Sequence, residues 1–409
     1  MNGSFRLLFI VTSLAAGGAE RSLLRLCGEL AARGHTITLV SLQHRNDYSR
    51  EIPTGIRLVR LLPDHIRLRR GLLFCLHRLC REAAGHDLVV AGMEGVPCLA
   101  GAAAARIARK PFIAWIHTML SEHAADEWGG LFTRLHRLAM RQADSIVGVS
   151  NGVTTEVRRF CPVLDERMCE TIYNMQNTSV GLLPHQKPAR PASGIPVVLA
   201  AGRIRLQLKG LDLLVAAHAC LIRSGCLHRL VIVGDGPDRL RLLEVIRELG
   251  VEATVDCPGF EPEIEKRLAA ADLFVLSSRR EGLPRTLLEA MAQGVPIVAA
   301  DCPSGPREIL LDGLCGRLVP PGDSVALSEA IREMLASPDM RRRYVEQGLA
   351  RIRDFSPERV VPRWEALFAR LTSRTSCRLH GMLCRLAPLA CDICGWGACS
   401  GLYLWDSAR

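Results

Sequence analysis

Short apolar runs alternating with helical periodicities, twice over, constrain this chain more than any other feature. The run Leu7 to Ser13 passes through Gly17 and Gly18 into a stretch where Leu23, Cys27, Leu30 and Ala31 recur at three- and four-residue spacings, closed by Gly34. Strand-like runs follow at 36–42, 58–62, 87–91, 112–117, 145–150 and 170–174, with helical stretches between them. Continuous apolar strands of this length suit a parallel sheet covered by helices on both faces. After Asn174 comes the proline-rich, polar stretch PHQKPARPASGIP, and then the pattern restarts. Strands are expected at 197–201, 230–233, 253–257, 273–276 and 296–300, with helices at 210–222, 238–249, 262–270 and 285–293. Two doubly wound parallel-sheet α/β domains result, over 1–178 and 197–352, joined by a linker at 179–196. Ligands of such sheets sit beyond the carboxyl ends of the strands, so a cleft between the halves is the default site.

Composition removes other classes. With 48% hydrophobic and 23% charged residues the chain is globular, and its most apolar stretches, Leu7 to Gly18 and Val96 to Ala105, fall short of the ~20 residues that span a membrane. The start MNGSFRLLFIVTSLAAGGAER reads as a first strand and glycine turn, so a cytoplasmic chain with reduced thiols is expected. Of 16 cysteines, 11 fall in the first 375 residues and five (Cys377, Cys384, Cys391, Cys394, Cys399) in the last 34. The last four could form a thiolate zinc site, but only Cys391 and Cys394 have the two-residue spacing, and an apolar, loosely ordered or membrane-facing tail fits 373–409 better. The formal charge of +10 rests on arginine, since only four lysines occur. Between Arg57 and Arg81 seven arginines meet one acid, Asp64, around the apolar run Leu72, Leu73, Phe74, Leu76 and Leu79. A basic amphipathic helix on an anionic membrane looks like this, and so does a solvated helix face over a core. Nucleic acid is not expected, because no recognition motif accompanies the arginines.

Four signals in the second half collect at strand ends. AAGRIRLQLKG puts Arg203 after a strand and Lys209 before a helix, two cations able to neutralise a diphosphate. In VIVGDGPD, Gly234 and Gly236 permit a tight turn and close ligand approach. In SSRREGLPRTLLEAMAQG, Glu281 precedes a helix start and Glu289 lies within that helix. Residues Gly282 to Thr286 would then present open backbone N–H groups to an anion, while an acid there can bond ligand hydroxyls. Both acids read equally as solvated caps. The fourth signal, PSGPRE at 303–308, is a rigid turn into another helix. In the first half, His117 ends the strand FIAWIH and points to the same cleft, as base, donor or polar terminus. No DxD pair and no histidine or acidic cluster supports a metal.

Taken in order, GGAE at 17–20, His117, Arg203, Lys209, VGDGP at 233–237 and EGLPRTLLEAMAQG with its E-x7-E pair resemble the family 4 glycosyltransferases over residues 5–372. The resemblance implies a GT-B fold, two Rossmann-like domains facing across a cleft, and retaining transfer from a nucleotide sugar without a metal cofactor. It implies an acceptor-side first domain, a nucleotide-sugar-binding second domain, and a final helix at 353–372 returning to the first. Gly17 and Gly18 would approach the donor phosphate, Arg203 and Lys209 would bind the diphosphate, and Glu281 would contact the sugar. Glu289 would hold the ribose, His117 would lie beside the reacting centre, and the amides of Leu283, Arg285 and Thr286 would assist at the phosphates. Five residues separate Arg203 from Lys209 where the family usually has four, so the loop must bulge or Lys209 must reach from a shifted position. A UDP-linked hexose or N-acetylhexosamine is the implied donor, and a surface glycan or polyprenyl-linked saccharide the implied acceptor. The location implied is the cytoplasm, at the cytoplasmic face of the inner membrane, contacted through 57–81. The alternatives are a catalytically silent GT-B partner protein and a nucleotide-sugar epimerase of the same fold.

Overall fold

A computed structural model of the chain describes residues 3–14, 17–43, 52–62, 68–121, 124, 128–176 and 194–373. Two parallel sheets form. The first holds β1 (Arg6–Val11), β2 (Thr36–Ser41), β3 (Ile56–Arg60), β4 (Leu88–Ala91), β5 (Phe112–Ile116), β6 (Ser145–Gly148) and β7 (Cys169–Thr171), in the order β3-β2-β1-β4-β5-β6-β7. The second holds β8 (Val197–Ala201), β9 (Arg229–Val233), β10 (Val255–Gly259), β11 (Leu273–Leu276), β12 (Ile297–Ala300) and β13 (Arg317–Val319), in the order β10-β9-β8-β11-β12-β13. Strand order reverses direction between β1 and β4 in one sheet and between β8 and β11 in the other. Loops leaving these strands diverge, which opens a crevice at each switch point.

Burial explains the strands. Leu7, Leu8, Phe9, Ile10 and Val11 are all fully buried, because helices cover both faces of β1. Each such side chain contributes about 1.5–3 kcal/mol of transfer free energy, and Phe9→Ala at the sheet centre should cost about 3–5 kcal/mol. Helices α1 (Gly18–Ala32), α2 (Leu68–Ala84), α3 (Val96–Ala108), α4 (Gly130–Arg141) and α5 (Asn151–Phe160) belong to the first domain. The second carries α6 (Leu206–Lys209), α7 (Leu211–Arg223), α8 (Arg239–Glu248), α9 (Ile264–Ala270), α10 (Arg285–Ala292), α11 (Pro306–Ile309), α12 (Ser324–Ala336) and α13 (Pro338–Arg351). A last helix over 357–373 returns to the first domain, where Trp364 meets Trp115 edge-on at 4.9 Å and Glu365 lies 3.2 Å from His35 Nε2.

One expectation is corrected. The basic segment 57–81 is not one helix: Arg57 and Arg60 lie on the edge strand β3, Arg57 pairs with Glu82, and α2 begins only at Leu68. Strand β13 escapes a sequence search because only Val319 of its three residues is fully buried. The helix expected at 210–222 is α7, and an additional single turn, α6, precedes it, the two joined by Gly210 at φ +57°. A Cβ at Gly210 would lie 2.2 Å from Ser277 O, so both the backbone angle and the space require glycine. Most of the 179–196 linker and all five tail cysteines lie outside the described residues.

Candidate active site

Both switch points deliver polar residues to one place. From the first sheet, the loop after β1 supplies Gly17 and the first turn of α1 supplies Gly18 and Glu20, the loop after β4 supplies Glu94, and His117 follows β5. From the second, the loop after β8 supplies Arg203 and the loop after β11 supplies Glu281 and Gly282.

The short helix α6 settles how Lys209 is carried despite the longer spacing from Arg203. Its turn ends at Lys209, whose Nζ donates to Glu281 Oε1 at 2.7 Å, and Ser278 Oγ donates to the same oxygen at 2.6 Å. Ser277 Oγ donates to the Lys209 carbonyl at 2.9 Å, tying the two loops together. Arg203 is exposed on a loop whose backbone is held by Ile204 N donating to Asp235 O at 2.9 Å and Leu206 N to Asp238 Oδ2 at 2.8 Å. Gly234 and Gly236 back this loop: a Cβ on them would lie 1.9 Å from Gly202 O and 2.3 Å from Ile204 O. Their immediate close neighbour is thus the Arg203 loop.

Glu289 and Arg285 form a buried pair on consecutive turns of α10, Arg285 Nη2 donating to Glu289 Oε1 at 3.0 Å. Arg285 Nη1 also donates to Gly18 O at 3.1 Å, so one guanidinium joins the two domains. Leu283 and Pro284 are buried and Thr286 is half-buried at the start of α10.

His117 lies against the indole of Trp115, ring centroids 4.5 Å apart, and is nearly inaccessible. Burial, with Arg285 nearby, pushes its pKa down to about 4, against the opposing pull of Glu94 and a hydrogen bond to the Gly92 carbonyl. The imidazole is therefore neutral at neutral pH. Nε2 is buried and has no hydrogen-bond partner among the described residues, so Nδ1–H serves Gly92 and the Nε2 lone pair is left unpaired. Glu94 anchors the following loop, accepting from His117 N at 3.0 Å and Thr118 Oγ1 at 2.7 Å.

Glu20 is the unforeseen titratable group. Burial raises its carboxyl to about 7, with Glu94 adding to the rise and Arg203 opposing it. The carboxyl folds back over Gly17, where a Cβ would stand 2.3 Å from Glu20 Oε2. Glycine at 17 thus makes room for Glu20. Glu20 closes the GGAE motif, whereas Glu94 belongs to no motif.

A clasp closes the cleft behind these groups. Gly282 O is approached by Ser150 Oγ at 2.9 Å and Ser304 Oγ at 2.8 Å, the hydroxyls being 2.7 Å apart. Ser150 also caps α5, accepting from Val153 N at 3.1 Å. Glu308 of α11 then reaches the same helix end, its two oxygens accepting from Asn151 N and Gly152 N, each at 2.8 Å. The turn at 303–308 is therefore more than rigid; it supplies Ser304 and Glu308 to the joint. Gly282 is pressed so close to the first domain that a Cβ would lie 1.9 Å from His117 O.

Two cavities lie elsewhere, along α1. One of about 340 Å³ is walled by Arg21, Leu24, Arg25 and Pro53 of the first domain and Pro262, Glu263 and Glu265 of the second. A neighbouring one of about 490 Å³ shares Arg25 and Pro53. Neither includes a residue expected at the site.

Comparison with known proteins follows from this geometry. A family model described as "Glycosyltransferase Family 4" matches residues 16–180, and one described as "Glycosyl transferases group 1" matches residues 185–351. The chain is 28% identical over 304 residues to the alpha-D-kanosaminyltransferase of Streptomyces kanamyceticus, covering 71% of this chain and 75% of that one. It is 33% identical over 209 residues to the lipopolysaccharide core biosynthesis glycosyltransferase LpsE of Rhizobium meliloti, covering 51% of this chain and 58% of that one. Of an exopolysaccharide phosphotransferase from Streptomyces coelicolor, 40% identical over 147 residues and 36% of this chain, the matched region spans only 16%. In fold, the chain is similar to the crystal structure of Anabaena HepE in complex with UDP and glucose, with TM-score 0.76 and 21% identity over 89% of this chain and 99% of that one.

Proposed function

Because the chain has the GT-B fold and belongs to the family 4 glycosyltransferases, we propose that it transfers a hexose or N-acetylhexosamine, with retention, from a UDP-sugar to a saccharide of a surface glycan or lipid carrier. One observation supports the reading: Lys209 pairs with Glu281 on one side of the cleft, and the next residue, Gly282, packs against the backbone of His117, which follows a strand of the other sheet. The similarity to a lipopolysaccharide core biosynthesis glycosyltransferase, and the UDP bound by the protein of similar fold, support the donor and acceptor classes.

In this reading the donor diphosphate takes Lys209 from Glu281, and Arg203, exposed on the neighbouring loop, closes on it. Both cations and the first amides of α10 offset the charge that grows on the departing diphosphate. Gly18 and Gly17 allow its close approach. Glu281, relieved of Lys209, orients the sugar hydroxyls, and neutral His117 accepts from one of them through Nε2. Glu289 holds the ribose. The leaving diphosphate oxygen removes the acceptor proton, so the sugar is attacked on the face it leaves from and no second carboxylate is required at glycosidase spacing. Among the described residues no helix is long and apolar enough to cross a membrane, and a peripheral contact through the basic part of 57–81 would bring a lipid-linked acceptor to the cleft.

The test is calorimetric titration of the protein with a panel of nucleotide diphosphates and their sugars, followed by measurement of released nucleotide with an acceptor mixture. The expected result is binding of one UDP-sugar and loss of release in Glu281→Ala with binding retained. Absence of donor binding by the intact protein refutes the proposal.

A further inference from the structure

Arg279 stands two residues ahead of Glu281 in SSRREGLPRT, at a strand end where a basic side chain could face the donor phosphates. Its contacts point elsewhere. Nη1 donates to Leu206 O at 2.8 Å and to Asp212 Oδ1 at 2.9 Å, and Nη2 donates to Asp212 Oδ2 at 2.7 Å. Both terminal nitrogens are thereby committed, and the two bonds to Asp212 form a bidentate pair, the strong and directional kind.

Helix α6 depends on such bonds. Four residues make too few internal bonds to offset the cost of nucleating a helix, and none of the four is fully buried. A turn this short also leaves its carbonyls open. The loop that leads to Glu281 supplies their donors: Leu206 O takes the Arg279 guanidinium, Leu208 O takes Arg279 N at 2.8 Å and Arg280 N at 3.3 Å, and Lys209 O takes Ser277 Oγ. Arg279 thus reaches α6 with both main chain and side chain. Asp212, in the first turn of α7, anchors the other edge of the guanidinium. With five residues between Arg203 and Lys209, a loop free to bulge could place the ammonium in several registers. The Arg279 bonds select the one with Nζ 2.7 Å from Glu281 Oε1.

On the reading that Lys209 binds the donor diphosphate, we propose that Arg279 is a positioning residue of the transferase: by clamping α6 to Asp212 and to the Glu281 loop, it holds the Lys209 ammonium in place for that diphosphate. Arg279 acts on the donor only through α6. Lysine cannot replace it, because a point-like ammonium lacks the planar fork that spans both carboxylate oxygens and Leu206 O. A nucleoside diphosphate should therefore sense the loss of Arg279 far more than a monophosphate does.

The test is calorimetric titration of UDP and of UMP into the parent, Arg279→Met, Lys209→Met and the protein carrying both changes. The parent is expected to prefer UDP. Arg279→Met should weaken UDP about ten-fold and UMP less than about two-fold, the coupling expected within one polar network. Lys209→Met should remove most of the preference, and adding Arg279→Met to it should change UDP binding less than about two-fold, because the group through which Arg279 acts is gone. Arg279→Lys should fall between the parent and Arg279→Met. Asp212→Asn, which removes the charged acceptor and leaves the Leu206 bond, should repeat the selective loss of UDP at about three-fold, and it serves where Arg279→Met does not fold. Equal weakening of UDP and UMP, or an undiminished loss once Lys209 is replaced, overturns the proposal, since a merely structural role would act on both nucleotides and without Lys209. A parent with no preference for UDP, or a preference that survives Lys209→Met, refutes the diphosphate reading of Lys209, and the clamp falls with it. Lys209→Met losing the preference while Arg279→Met binds UDP like the parent refutes the clamp alone.

Discussion

Replacing Glu308 should loosen the joint between the domains more than it weakens either domain. Its carboxylate takes Asn151 N and Gly152 N at 2.8 Å each, and Tyr173 donates to it at 3.3 Å. Hydrogen bonds to a charged group contribute about 1.5–3 kcal/mol each, and a carboxylate at a helix N-terminus adds about 0.3–1 kcal/mol when exposed. The contact is only partly buried, so water takes over the two amides once the carboxylate is gone, and the net loss for Glu308→Ala is about 2 kcal/mol. At about 1.4 kcal/mol per factor of ten, the ratio of closed to open molecules falls about 30-fold. Glu308→Gln keeps one acceptor oxygen but turns an N–H toward the other amide, and should lose about half as much free energy. Small-angle scattering with and without a UDP-sugar reads the opening, and kcat/KM for the donor reads its consequence. Parent, Gln and Ala should fall in that order, while melting of the domain cores shifts little. If Glu308→Ala scatters like the parent and keeps kcat/KM within about two-fold, the clasp does not hold the domains together.

Acid should weaken the second domain through His218 and His228, which are buried and joined Nδ1 to Nε2 at 2.8 Å, with His218 Nε2 also 2.8 Å from Thr254 Oγ1. Burial lowers both, His218 from 6.5 to about 4, so their stabilisation is complete above pH 6.5 and is lost as the pH falls from there toward 4; thermal melts should show it, and His218→Gln should flatten the slope. Glu20 has the opposite sense: its raised carboxyl favours the fold below pH 4.5 and opposes it increasingly as pH rises toward 7, so Glu20→Gln should melt higher than the parent at alkaline pH and no differently in acid. Gly282→Ala would set a methyl 1.9 Å from His117 O, wedging the cleft open; donor turnover should fall while UDP binding persists, and unchanged turnover with the parent's scattering profile counts against that contact.

What the sequence made legible is what local physics writes into it. The strands follow from apolar runs buried on both faces, and Arg203, Glu281 and His117 stand out in the sequence because each follows a strand. The rest depends on distant segments meeting. Ser150 reaches Gly282 across 132 positions, and Asn151 reaches Glu308 across 157. No local periodicity encodes such a pairing, so the turn at 303–308 signalled only rigidity. Arg285 was expected to offer its amide, yet its side chain carries the buried pair with Glu289 and the bond to Gly18 O, a role visible only once the domains are docked. Glu94 is a lone acid with nothing in its spacing to mark it, and Glu20, although it closes GGAE, is made notable as a titratable group by burial rather than by spacing.

The loop carrying Glu281 is held from both sides of the cleft. Within the second domain, Lys209 and Ser278 fix its carboxylate. From the first domain, Ser150 holds the carbonyl of the next residue, Gly282, whose backbone rests on His117 O. Opening the cleft must break the Ser150 contact, release Glu308 from α5 and lift Gly282 off His117 together. The separation of Glu281 from His117 is thus not an internal property of either domain. It is set by closure, so an open molecule can retain every side chain expected at the donor site and still lack their mutual arrangement. That arrangement stays intact only while position 282 has no side chain, which makes the glycine of EGLPRT a requirement of docking.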